Sequence, residues 1–504
     1  VARIVGARVR VVAKVLGQLV ADETRRSGRH ADGTDPEQRR ARAVRSALES
    51  LGPFYVKIGQ ILSTRPDMVP PSMIAELQNL HDEVAVQPFC VFEPVLERDL
   101  GPDWKLRFDD IDTERPLGAA SLAQVHRVTL AGGRQGVVKL QRPGIREDVL
   151  ADMAMLRRAA RLVTRGAPRF SSVVDVESML SIVFDSMEPE LDFTGEANNM
   201  DVARESIRPF RSLAVPKVIV AKPRVLVQAM APGTSVRRID QADFSERERT
   251  EMGRELLAFM YRGYFIDRFF HADPHPGNVF AVPGGPATLI DWGMVGRIDQ
   301  RTSMSLLLVL MCVAQNDGHG LATAWTEMGR ATPWSDIPGF RSDMAALVPK
   351  IASASLDELD FGVTLTSVLQ KASRRGIASS PAVSILGKSF ANLEGSVRCL
   401  APELALAKVF QKEVPGIMVQ LVAEAASWQQ GARTALEALL GGGSAGQQLR
   451  ALGDDVSNRR LSFQTSRTHR GAAQGGERRG VPRGLLALGA LALLLDHRRR
   501  GRGR

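Results

Sequence analysis

Cysteine is scarce: Cys90, Cys312 and Cys399 stand far apart, with no C-x-x-C spacing. Neither a disulfide framework nor a zinc site can be read from them, and a reducing compartment is the default. Long apolar runs are missing too. Gly484 to Leu495 is wholly apolar but only twelve residues long, a helix of about 18 Å against a hydrocarbon core of roughly 30 Å, too short to span convincingly. Val1 to Val20 alternates arginine with apolar residues and lacks an apolar core followed by a small-residue cleavage site, which argues against a secretory signal. No internal repeat is present. Aromatic residues are sparse, but 44% hydrophobic and 24% charged residues are ordinary for a folded chain, so global disorder is excluded.

The charge is what stands out. A formal +10 is carried mostly by arginine, clustered from Arg25 to Arg45 and from Arg498 to Arg504. Basic ends favour anionic partners, nucleic acid or lipid. No nucleic-acid-reading motif accompanies them, so an anionic membrane surface is the expected partner and nucleic acid is not.

A chain of 504 residues implies roughly two to four domain-sized units. Val1 to about Ala21 has helical apolar spacing with basic residues interspersed, and reads either as a surface-seeking amphipathic helix or as an ordinary core helix. Helices are predicted from Pro36 through Leu51 and from Phe54 to Thr64, broken at Gly52-Pro53. Between Pro116 and Gln141 the pattern becomes short Val- and Leu-rich runs around Ala131-Gly132-Gly133, a hairpin. Long helices are predicted at Glu147 to Thr164 and Val173 to Arg204, then strands at Val215 to Val220 and Val225 to Gln228, and mainly helix after Pro232-Gly233 to about Leu440. Gly441 to about Gly480, rich in Gly, Ser, Gln and Arg, reads as a flexible linker. The class is α+β, a small sheet with helices followed by a larger helical region.

The chemistry concentrates in His271-Ala-Asp273-Pro-His275-Pro-Gly-Asn278, a strand-like Ala287 to Ile290, and Asp291-Trp-Gly293. A carboxylate at Asp273 can orient an attacking hydroxyl or accept its proton. The amide oxygen of Asn278 and the carboxylate of Asp291 are hard oxygen ligands suited to Mg²⁺. His271 two before Asp273, and Asn278 five after it, have the spacing of a kinase catalytic loop, with Asp291-Trp-Gly in the place of D-F-G. Two other readings stay open: a capped turn, or zinc held by His271, Asp273 and His275, which the intervening prolines oppose. Lys139, in Gly136-Val-Val-Lys139-Leu, lies inside an apolar strand, as does the lysine that grips nucleotide phosphates in kinases; alone it could equally snorkel from an edge strand. Before it, Gly118-Ala119-Ala120-Ser121 stands where a glycine-rich loop is expected, its small residues permitting close phosphate approach.

An alanine-rich loop ending in A-S-x-x-Q-V-H, the strand Val137 to Gly144, and H-A-D-P-H-P-G-N together resemble the UbiB family of atypical kinase-like proteins, associated with quinone biosynthesis. Lys57-Ile-Gly-Gln60 is similar to that family's K-x-G-Q motif, and Glu190-Leu-Asp192, followed by Glu196, to its E-x-D motif. The likeness covers about residues 43 to 405, including Asn392-Leu-Glu-Gly395. It implies a protein-kinase-like, two-lobed fold with extra N-terminal helices and a mainly helical C-terminal lobe. The implied layout is a basic arm (1–42), a helical extension (43–112), an N-lobe (113–230), a C-lobe (231–440), a linker (441–482) and an apolar segment with a basic tail (483–504).

The resemblance further implies ATP held by Lys139 and Gly118 to Ser121, Mg²⁺ held by Asn278 and Asp291, and Asp273 acting on the nucleophile. It implies that Lys57 and Gln60 meet Glu190 and Asp192 and occlude the groove where a protein kinase lays its peptide. Glu196 is the candidate partner of Lys139, and Asp192 the rival. The acceptor is then a small molecule, a lipid or water, quinone-pathway proteins are possible partners, and the place of action is the cytoplasmic face of the cell membrane. A nucleotide sensor without turnover is the competing expectation. The sequence departs from the family's triple alanine, which here reads Gly118-Ala119-Ala120. Its hinge, Leu226 to Met230, lacks an acidic residue, and its C-terminal apolar segment is shorter than the pair of membrane helices in relatives.

Overall fold

Strict alternation makes the sheet. In the computed structural model, β3 (Ala123–Leu130) and β4 (Arg134–Gln141) form the expected hairpin, and the turn between them places Gly132 at φ 93° and Gly133 at φ 76°, where any Cβ would be strained. Val138 and Leu140 are fully buried on one face of β4. Side chains alternate along a strand, so Lys139 between them points to the other face. That geometry explains a lysine in an apolar run. The sheet has six strands: β1 (Phe108–Ile111), β3, β4, β7 (Val225–Ala229) and β6 (Val218–Lys222) in that order, with β2 (Gly118–Ala119) pairing β3.

The buried face of the sheet packs Val138, Leu140, Val225 and Val227 against Phe89, Phe92, Leu96 and Trp104, the second set contributed by α4 (Glu93–Leu100) and its flanks. Each such side chain contributes about 1.5–3 kcal/mol through burial. A second cluster joins α2 (Pro53–Ser63) to α5 (Ile145–Gly166) through Phe54, Tyr55, Ile58, Val149 and Met153. Helices α1 (Pro36–Leu51) and α3 (Pro71–Leu77) pack beside α2.

The structure describes residues 36–425 apart from 64–68, 70, 81–84, 167–179, 182–183, 185–186, 332–334 and 353–360. The expected basic helix at Val1 to Ala21, the linker at Gly441 to Gly480 and the apolar Gly484 to Leu495 lie outside the described residues. Among the described residues, no helix is long and apolar enough to cross a membrane. The chain divides into two units, Val1–Phe410 with Pro482–Arg504, and Gln411–Val481. Of the second, only the C-terminal part of the helix Leu406–Ala425 is described.

One expectation is corrected. The predicted helix from Val173 to Arg204 does not run through Glu190 and Asp192. Glu188–Leu191 is a 3-10 turn containing Pro189, and Asp192 is extended at φ −142°, ψ 104°, its carboxylate accepting the Thr194 N–H to cap α6 (Phe193–Ser206). A short acidic side chain satisfies an orphan helix N–H better than it serves mid-helix. Glu190 and Asp192 therefore do not share a helical face with Glu196.

The C-terminal lobe starts with α7 (Glu246–Arg262), closed at its N-terminus by a reciprocal Ser245–Glu248 capping box. It is interrupted by short strands rather than wholly helical: β9 (Phe269–His271) pairs β12 (Val295–Arg297), and β10 (Val279–Ala281) pairs β11 (Ala287–Leu289). Helices α8 (Gln300–Ala314), α9 (Gly318–Met328), α10 (Ile337–Ala352), α11 (Phe361–Arg374) and α12 (Pro381–Leu400) follow. A π-turn at Gly263–Asp267 brings Tyr264 onto α12, its ring 4.3 Å from that of Phe390 and 4.9 Å from that of Phe270. Phe390→Ala is expected to destabilise this lobe by about 3–5 kcal/mol through the cavity it leaves, read as a lowered thermal midpoint. An unchanged midpoint would show that α12 is not anchored there.

Candidate active site

The loop after β9 is held at almost every polar atom. His271 is fully buried. Its Nδ1 accepts the Asp273 N–H at 3.1 Å, and its Nε2 faces the Ile290 carbonyl at 3.0 Å. An imidazole that accepts on one nitrogen and donates from the other is neutral, and burial lowers its pKa in agreement. His271 thus ties the backbone of Asp273 to the strand that leads into Asp291. Asn278 Nδ2 donates to the Asp273 carbonyl at 3.1 Å, leaving the amide oxygen as the end able to ligate. His275 Nδ1 accepts the Gly277 N–H at 2.9 Å. His271 is spent on Asp273 and Ile290 and His275 Nδ1 on Gly277, and among the described residues no group of three or more His, Cys, Asp or Glu could hold a metal ion.

Helix α12 grips the same loop. Ser389 Oγ donates to the His271 carbonyl and Ser396 Oγ to the Pro274 carbonyl, each at 2.6 Å. Tyr264 Oη lies 2.8 Å from Ser389 Oγ, and with the Ser389 proton already given to His271, the phenol is the donor. Burial raises the phenol's pKa, which keeps it protonated. The carboxylate of Asp273 receives Lys388 Nζ on Oδ2 at 3.1 Å and Asn392 Nδ2 on Oδ1.

Across the cleft, Lys139 Nζ sits 2.8 Å from Glu196 Oε2 and 3.1 Å from Asp291 Oδ1. Burial alone would lower the lysine's pKa, but the charges of Asp291 and Glu196 prevail and raise it. The Lys139 charge holds Asp291 well below the usual carboxylate range, whereas burial pushes Glu196 up despite the same lysine. Asp291 adopts the left-handed region at φ 59°, which Asp tolerates better than most residues, at a cost of order 1 kcal/mol. Its neighbours hold it there: Trp292 is fully buried, and Asn199 Nδ2 donates to the Trp292 carbonyl at 3.0 Å. Glu196→Gln, which removes a charge from Lys139 and keeps the shape, is expected to weaken nucleotide binding several-fold while the fold persists. Calorimetric affinity, set beside the thermal midpoint, checks both halves.

The small-residue loop is fixed by Arg142, which follows β4. Gly118 and Ala119 form β2, and Arg142 Nε donates to the Ala120 carbonyl at 2.9 Å, with a second bond to the Ala85 carbonyl at 3.1 Å. Ser121 is buried beside it. A Cβ on Gly118 would meet open space, and its φ is not positive. The departure from triple alanine is therefore free of steric demand at this position.

The K-x-G-Q helix closes the cleft. Lys57 Nζ lies 2.9 Å from Glu190 Oε1, their side chains only 17% and 15% exposed. Gln60 Nε2 reaches the Leu80 carbonyl at 3.4 Å. Asp192, expected beside Glu190 opposite Lys57, spends its carboxylate on the Thr194 N–H and hydroxyl; Glu196, not Asp192, meets Lys139. The glycine in the motif has a packing reason, since a Cβ at Gly59 would overlap Leu80 and come within 2.9 Å of Leu48. Gly59→Val should push α2 off α1 at a cost of about 1–3 kcal/mol, measurable as faster hydrogen exchange in α2. Unchanged protection would contradict that close packing.

Between α2 and α3 on one side and α11 and α12 on the other lies a cavity of about 1080 Å³. Asp273, Asp291, Lys57 and Lys388 line it, together with Leu77, Leu80, Leu365 and Leu369. As a test for Mg²⁺, the donor set is one carboxylate, half of whose side chain is exposed, and one amide oxygen. Two hard protein oxygens of this kind would suit Mg²⁺. Sequence reading missed Lys388, Ser389 and Arg142 as site residues and noted Asn392 only within a motif. Lys388, Asn392 and Ser396 recur every four residues, but Ser384, Glu394 and Arg398 lie in the same helix, so spacing did not single them out.

Residues 79–324 match the family described as the ABC1 atypical kinase-like domain. The chain is 31% identical over 361 residues to an uncharacterized protein of Synechocystis sp., covering 69% of this chain and 88% of that one. It is 31% identical over 405 residues to the probable protein kinase UbiB of Aeromonas salmonicida, covering 78% and 73% respectively. Among solved structures it is similar to the Mycobacterium tuberculosis protein Rv3197 in complex with erythromycin, 21% identical, with a TM-score of 0.51 over 71% of this chain and 91% of that chain. At that identity the likeness is one of fold.

Proposed function

Because the chain belongs to the UbiB family of ABC1 atypical kinase-like proteins, we propose that it binds Mg-ATP and transfers or hydrolyses its terminal phosphate. The observation that carries this reading is the sharing of one partly buried lysine, Lys139, between Glu196 and Asp291, opposite the braced loop of Asp273. Lys139 and the loop Gly118 to Ser121 hold the nucleotide. Asn278 and Asp291 hold Mg²⁺, whose positive charge offsets that of the phosphates. Asp273 orients the nucleophile and takes its proton, and His271 keeps the Asp273 backbone in place.

With Lys57 and Gln60 drawn over the cleft, the acceptor is a small molecule, a lipid head group or water rather than a folded protein. A cavity lined by both charged and apolar side chains supports an amphiphile, in keeping with a role in quinone or membrane-lipid metabolism. The basic residues at both ends of the sequence support work at the cytoplasmic membrane surface, where each contributes about 1 kcal/mol near anionic lipid. Flotation of the full chain and of a chain ending at Leu440 with anionic vesicles tests this: equal flotation removes the tail from the account, and none at all removes the membrane. A nucleotide sensor without turnover is the second reading, favoured by the engagement of both Asp273 carboxylate oxygens.

Thermal shift of the purified chain tests nucleotide binding. ATP with Mg²⁺ should raise the midpoint by several degrees, and ATP with chelator should raise it less. No shift in either condition counts against the nucleotide reading.

A further inference from the structure

Helix α12 braces the Asp273 loop through Lys388, Ser389, Asn392 and Ser396. Three of these have short side chains suited to holding a shape. Lys388 differs, carrying a charge on a flexible four-carbon stem, with 34% of its side chain exposed at the cavity.

The other cations that line this cavity are engaged elsewhere. Lys57 pairs with Glu190; Arg297 lies over the Phe269 ring at 4.8 Å and reaches Asn199 Oδ1 at 3.4 Å. Within the loop itself, His275 spends its Nδ1 on Gly277. A terminal phosphate held between Asp291 and Asp273 faces two carboxylates. Metal and Lys139 offset the first; Lys388 pairs with the second. Asp273 must also free an oxygen for the acceptor hydroxyl. Asn392 can keep Oδ1 oriented while Lys388 gives up Oδ2.

We propose that Lys388 is a second phosphate-binding cation, which pairs with Asp273 while the cleft is empty and donates to an oxygen of the terminal phosphate when ATP is bound. The hydrogen bond changes acceptor, and no covalent bond changes. This rests on the Mg-ATP reading above and adds a binding residue to it.

A lysine on the terminal phosphate distinguishes ATP from ADP, whereas a lysine that merely supports the loop does not. Calorimetric titration of wild type, Lys388→Met and Lys388→Arg with Mg-ATP and Mg-ADP tests the difference. In Lys388→Met the affinity for Mg-ATP should fall roughly ten- to thirtyfold, the size of one charge-assisted hydrogen bond, and that for Mg-ADP by less than about twofold. Lys388→Arg should recover most of the loss. If the methionine variant fails to fold, Lys388→Gln repeats the measurement. Equal losses for both nucleotides, or no loss for either, would overturn the assignment. A wild type that binds neither nucleotide overturns the Mg-ATP reading itself, and the assignment with it.

Discussion

Asp273→Asn is expected to leave Mg-ATP affinity within a few-fold of wild type and to lower phosphate transfer or hydrolysis by at least about a hundredfold, the usual range for a positioned base. The substitution keeps the side chain's size and the backbone bonds made by His271 and Asn278. It removes the anion that accepts from Lys388 and Asn392 and that can take a proton. A side chain serving only the turn would show the opposite pattern, with midpoint and affinity falling and the rate per bound nucleotide constant. Parallel calorimetry and single-turnover rates separate the two outcomes.

Asp291→Asn should instead act on binding. It removes an anionic metal ligand and one of the two carboxylates that share Lys139, so metal-dependent affinity should drop roughly ten- to a hundredfold. Affinity measured in chelator should barely move. Loss of both components in equal measure would indicate that Asp291 supports the fold of the cleft rather than the metal. The left-handed backbone at Asp291 makes asparagine the fitting substitution, because Asn accepts that region as readily as Asp.

These groups were legible in the sequence because they lie close along the chain. Asp273, Asn278 and Asp291 fall on one loop, hairpin and turn, where spacing alone constrains geometry, and Lys139 stood out as a lysine inside an apolar run, although alone it could equally have snorkelled from an edge strand. The β3–β4 hairpin was equally readable from its period and its two glycines. The E-x-D segment was not. Helical periodicity carried through Glu190 and Asp192, but Pro189 and the capping strength of Asp192 restarted the helix at Phe193, a choice made by two or three residues within a long window. Lys388 was invisible for another reason. Its partner is 115 positions away, and nothing local in α12 distinguishes a cavity-facing lysine from a solvated one. Gly59 was visible as part of a motif, but the packing reason for it needed Leu48 and Leu80 in place.

Mg-dependent chemistry on the terminal phosphate of ATP can be followed through phosphate released or transferred from γ-labelled ATP. The purified full chain is assayed with Mg²⁺, with chelator, and with anionic vesicles, beside Asp273→Asn prepared identically. The account predicts turnover that requires Mg²⁺ and is lost in the variant. Turnover unaffected by chelator, or equal in wild type and Asp273→Asn, would contradict it.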